Sequence, residues 1–190
     1  MKTRLTVIVL LFIFTIGCSS PTDVPHQSVW EVELIGAGDS ELNRLDTNDD
    51  GWYVLPLNMS KLQTVHRLFG RVTQDGERPE RPQKVGWDSS HIWILAAGDT
   101  LGYIIRRTIN ADGQWVNLDT LYNVAFRDEP VPTVNPVSYT HSNENNPERW
   151  GEFNGMIAPI RDMRGDTLTV RAYIRKGGTE FDDIIRIILQ

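Results

Sequence analysis

Three groups of residues in this 190-residue chain have the types and spacing that chemistry requires. Asp46, Asn48 and Asp50 set side-chain oxygens at alternate positions ahead of Gly51, as the first half of a calcium loop does. The position that should supply a bidentate glutamate is Leu57, inside an apolar run. A full EF-hand is therefore excluded, leaving a simpler calcium turn or an ordinary acidic turn. Ser40 follows Gly38 and Asp39, and Asp88 stands three residues before His91. These are the parts of a nucleophile, a base and an orienting carboxylate. Trp87 lies near the end of a strand beside Asp88, and Trp150 lies among Asn145, Asn146, Glu148 and Arg149. Both indoles are placed to stack on a sugar ring, or to tuck back onto the fold.

The elements that must position these groups are strands. Trp30, Val32 and Leu34 alternate with Glu31 and Glu33, and further strands are predicted over Trp52–Leu57 and Thr64–Thr73. His91–Ala96 and Leu101–Ile109 read as a hairpin around Ala97, Gly98 and Asp99, and Asp112-Gly113 turns the chain into Gln114–Leu118. Met156–Arg161 is expected to pair with Thr167–Arg175 around Gly165, and Phe181–Leu189 closes the chain as an isoleucine-rich strand. Adjacent Asp182 and Asp183 then face opposite sides, which rules them out as a glycosidase pair. Nine or ten short strands with turn chemistry between them predict an all-β fold, an antiparallel β-sandwich. Asp50-Gly51-Trp52-Tyr53-Val54 is echoed by Asp112-Gly113-Gln114-Trp115-Val116, shared hairpin grammar at two places. The segment 127–155 interrupts the pattern with four prolines and a polar run, so it is either functional or mobile.

Composition narrows the classes of function. The net charge is −6, and the first 17 residues hold Lys2 and Arg4 but no acid, so the remainder stands at −8. Nucleic acid and polybasic contact with lipid both need clustered cations, and neither fits. A single cysteine excludes a disulfide framework and a thiolate-rich zinc site within one chain.

That cysteine has a distinctive context. Lys2 and Arg4 precede the apolar run Leu5–Ile16, which is too short to span a bilayer comfortably and ends on Gly17-Cys18. This resembles the lipobox of bacterial lipoproteins, with Thr15 in place of the usual aliphatic residue. The resemblance implies a signal peptide over 1–17, lipid on Cys18 and a tether over 18–27 ahead of a β-sandwich domain at 28–190. Ser19 after the cysteine implies an outer-membrane destination by the sorting rule of such proteins. The Asp50-Gly51-Trp52 turn, with Leu68, Gly70, Val72, Asp75, Gly76 and Pro79, resembles parts of immunoglobulin-like and transthyretin-like modules. Gly38-Asp39-Ser40 with Asp88 and His91 resembles the Gly-Asp-Ser esterases, but that family places its Asp-x-x-His near the C-terminus of an α/β fold.

The expected function is a membrane-anchored envelope lipoprotein acting as a non-catalytic binding or structural-assembly module. Its partner would be an envelope protein or glycan, and the contact surface is sought first in 127–155, including Tyr139 and Trp150. Two alternatives are a carbohydrate-binding module using Trp87 and Trp150, and a small serine esterase at Ser40. No cofactor is expected, with calcium at the Asp46, Asn48, Asp50 turn as the alternative to an ordinary acidic turn.

Overall fold

The computed structural model describes residues 28–40, 43–94, 101–125, 137–141, 149 and 151–190. Cys18, the expected leader over 1–17, the expected tether over 18–27 and Trp150 lie outside them. Among the described residues there is no α-helix. The strands are β1 (Trp30–Ser40), β2 (Asn43–Arg44), β3 (Tyr53–Leu55), β4 (His66–Gln74), β5 (Lys84–Ser89) and β6 (His91–Ile94). They continue with β7 (Leu101–Ile109), β8 (Trp115–Ala125), β9 (Val137–Tyr139), β10 (Glu152–Ile157), β11 (Thr167–Lys176) and β12 (Thr179–Leu189).

These strands build an all-β sandwich. One sheet has the order β10-β4-β1-β2, the other β3-β12-β11-β5-β9, and a third, smaller sheet runs β6-β7-β8. Period-two patterning explains the inner faces. Leu168, Val170, Ala172 and Ile174 of β11 are buried against Val32, Leu34, Leu68, Val72, Phe153 and Ile157 of the facing sheet. In β1 the alternation slips, because a bulge between Leu34 and Gly36 shifts the register and keeps Ala37 facing inward.

The two large sheets are also tied at their edges. On one side Leu34 donates its amide to Asp183 Oδ2 at 2.7 Å, linking β1 to β12. On the other, His141 donates its amide to the Glu152 carbonyl at 2.7 Å, linking the end of β9 to β10.

Three expectations change. The sheet is not wholly antiparallel, since β3 pairs with β12 in parallel. Met156–Arg161 does not pair with Thr167–Arg175: β10 pairs with β4, and β11 lies between β12 and β5. The physical reason is the bonding at 159–161. The Pro159 carbonyl accepts from Thr64 and the Arg161 amide donates to Leu62, which holds the chain on the first sheet. A 3-10 turn at Arg161–Met163, with Met163 buried, then carries it across to the second. Third, the 127–155 interruption contains β9 and the start of β10, because Ser138 and Gly155 both pack on Trp87. The hairpin β7–β8 matches its expectation, but β8 runs on to Ala125 through two bulges.

Trp87 is the centre of this packing. Its ring is 5% exposed, meets Phe153 edge-on at 5.5 Å, and donates Nε1–H to Ser138 Oγ at 2.8 Å. A Cβ on Gly155 would stand 2.4 Å from the Trp87 ring, so only glycine admits the indole there.

Candidate functional site

The chain switches sheets at Ser90. Its amide donates to the Thr169 carbonyl of β11, and its carbonyl accepts from Arg107 of β7. Leaving β11 deprives the Thr169 amide of a backbone partner, and the Ser90 hydroxyl takes that place at 2.9 Å. The same hydroxyl meets His91 Nδ1 at 2.8 Å, and His91 Nε2 meets Asp166 Oδ2 at 3.2 Å. The Asp166 carboxylate can only accept, which assigns the imidazole proton to Nε2, so Nδ1 accepts from the Ser90 hydroxyl while Ser90 Oγ accepts from Thr169.

A cleft of about 320 Å³ opens beside this relay, lined by His91, Arg106, Arg107, Leu118, Asp119, Asp166 and Thr167. Arg106 reaches Asp166 at 3.1 Å and pairs with Asp119 across the β7–β8 ladder. Arg107 pairs with Asp88, donates to the Ser89 carbonyl and stacks on Trp115 at 4.5 Å. The bond from Arg106 holds the exposed Asp119 carboxyl below its ordinary range. Burial pushes the His91 imidazole below 6.5, against the opposing pull of Asp166.

The sign of the pH effect follows. A histidine with a lowered folded pKa binds fewer protons folded than unfolded, so its contribution is present above 6.5 and is lost as pH falls through the folded value. Thermal midpoints should drop as pH goes from about 7.5 to about 5.5. In His91→Gln that drop should be shallower; parallel curves for the two proteins would refute the assignment.

This constellation differs from the one the sequence offered. Asp88 does not orient His91, because Asp88 lies in β5 and His91 opens β6, and the change of sheet at Ser90 between them gives the two side chains different partners. Asp88 serves Arg107 instead, and His91 takes Asp166. Ser40 ends β1, and its side chain lies outside the described residues. Ser90 is 4% exposed with its hydroxyl engaged twice, and it does not line the cleft.

The Asp46–Gly51 turn is held internally. Asn48 Oδ1 accepts from the amides of Asp50 at 3.1 Å and Trp52 at 2.9 Å. Asn110 repeats this with Asp112 at 3.0 Å and Gln114 at 2.9 Å, so the two echoed turns share one hydrogen-bond pattern. The oxygen that Asn48 would offer calcium is thus an acceptor for its own turn. Among the described residues no three His, Cys, Asp or Glu side chains group as a metal site.

A second hollow, of about 210 Å³, lies on the outer face of the five-stranded sheet, lined by Lys84, Gly86, Val137, Tyr173 and Arg175. Gly86 is what allows it: a Cβ there would stand 2.3 Å from the Tyr173 ring, which lies down across β5. Arg171 and Arg175 pack on that ring at 5.4 and 5.1 Å, and both pair with Glu180. Burial disfavours the Arg171 charge, but bonds to Asp182 and Glu180 outweigh it and raise its pKa. Tyr139, 63% exposed, stands opposite Lys84 in the β5–β9 ladder. Trp87, by contrast, is no stacking surface, because its ring fills the core.

The sequence reading missed this face, although its signal was present. Gly177-Gly178 sets the β11–β12 hairpin, and the two-residue period then places Arg171, Tyr173 and Arg175 opposite Ile184, Asp182 and Glu180. Fold and site define an all-β sandwich with a charged cleft at a sheet junction and an aromatic, cationic groove on one face. No family model matches this chain, and no curated protein matches it at a significant level.

Proposed function

We propose that this is a lipid-anchored envelope protein, attached through Cys18, whose sandwich acts as a non-catalytic binding module. The observation that carries the binding role is the open groove formed by Lys84, Gly86, Val137, Tyr173 and Arg175. It borders β9, inside the 127–155 segment where a contact surface was expected. The hydroxyl beside His91 supports the non-catalytic reading, being bonded on both sides and away from the cleft. The lipobox resemblance at Cys18 supports the anchor, and the outer membrane is the destination that Ser19 implies. The likeness to immunoglobulin-like modules belongs to the same proposal.

Two readouts test it. Expressed as the full chain in a diderm host, the wild type should sediment with membranes and Cys18→Ala should be released. Unchanged partition of the variant ends the anchor reading. A photo-crosslinking amino acid at Tyr139 should capture an envelope component, whereas the same probe at Met59, exposed and remote from the groove, should not. Equal capture at both positions would overturn the choice of face.

A further inference from the structure

We infer that the groove between β5, β9 and β11 receives the terminal acidic sugar of a glycan, a ring bearing a carboxylate. This names a ligand class for the binding-module reading and rests on it. Size comes first. At about 210 Å³ the groove is smaller than the roughly 300–1,000 Å³ of pockets that enclose drug-sized ligands, so it takes one end group and not an extended chain.

Charge comes second. The chain is acidic at −6, yet Lys84 and Arg175 both line this hollow. Among the described residues Lys84 has no ion-pair partner. Arg175 is held by Glu180 through Nε at 2.8 Å, which leaves its two terminal nitrogens unpartnered among the described residues. The nearby acids are committed: Glu180 serves Arg171 and Arg175, and Asp182 serves Arg171. A spare ammonium and the free end of a guanidinium fork match a carboxylate.

Shape separates a sugar from a peptide. Peptides captured on β-sandwiches commonly add as a strand to an open edge. Here β9 has β5 on one side, and just beyond it the His141 amide bonds the Glu152 carbonyl of β10. The groove lies on the face of the sheet and not along that edge, so recognition in it falls to side chains. Tyr173 lying over Gly86, and exposed Tyr139 beside Lys84, supply aromatic surface next to the cations, which suits a ring carrying an acid.

The test is a saturation-transfer NMR titration of the full chain in detergent with three probes. They are a disaccharide ending in glucuronate, its glucose-ended counterpart and an acetylated dialanine. The glucuronate probe should bind at least about tenfold more tightly than the other two. The double variant Lys84→Gln, Arg175→Gln should weaken it by about tenfold or more, with circular dichroism and thermal midpoint unchanged, while Lys84→Arg retains binding. Equal affinity for the neutral sugar or the peptide, insensitivity to the double variant, or no binding overturns the inference. The Tyr139 crosslink separates the two levels. Capture that persists when the sugar fails defeats this ligand class alone, and loss of both defeats the binding module as well.

Discussion

Replacing Trp87 with alanine is expected to lower the stability of the folded protein by about 3–5 kcal/mol, the range for removing a large aromatic side chain from a packed core. The reason is positional. The indole is 5% exposed, packs edge-on against Phe153, and occupies the space that Gly155 leaves by lacking a Cβ. It also satisfies Ser138 Oγ, so truncation removes a hydrogen bond together with the apolar contacts. Denaturant titration should show a lower midpoint at unchanged slope. Trp87→Phe should cost less, since it keeps part of the ring volume and loses the indole donor. A change within about 0.5 kcal/mol for the alanine variant would mean that Trp87 behaves as a surface residue, and the packing account would fall.

The second large effect concerns Arg107, which fastens the β6–β7–β8 sheet to the sandwich. Its guanidinium pairs with Asp88, donates to the Ser89 carbonyl at 2.9 Å and stacks on Trp115. Removing one partner of a fully buried pair costs about 3–5 kcal/mol. Here the Asp88 side chain is 30% exposed, so solvent screens the charge left behind, and Arg107→Ala is expected to cost about 2–3 kcal/mol. Arg107→Lys should recover only part, because an ammonium cannot reproduce a fork that reaches a carboxylate and a carbonyl together. Hydrogen exchange should show β7–β8 amides losing protection before those of β11–β12. Uniform loss across both sheets would show that Arg107 supports the whole fold and not the junction.

The two sites differ in how much of them local sequence carries. The groove face is periodic. Once a Gly-Gly hairpin fixes β11 against β12, Arg171, Tyr173 and Arg175 must share a face with Asp182 and Glu180. The cleft is not periodic. His91 and Asp166 stand 75 positions apart and meet only because the chain changes sheets at Ser90. Asp88 is close to His91 in sequence, but the same change of sheet separates them and leaves Asp88 to Arg107.

Composition, period-two patterning and Asp-Gly turns were enough to determine an all-β sandwich, since strands with one apolar face have few other ways to bury it. Local chemistry also determined the twin turns at Asn48 and Asn110, because an Asx side chain bonds its own next residues wherever the chain lies. Only the tertiary structure decided that Trp87 is core, that β10 leaves the expected hairpin to join β4, and that β3 runs parallel to β12. Those outcomes depend on which strand lies across the interior from which. An alternating pattern says that a side chain faces inward or outward, and only the packed neighbour says what it meets there.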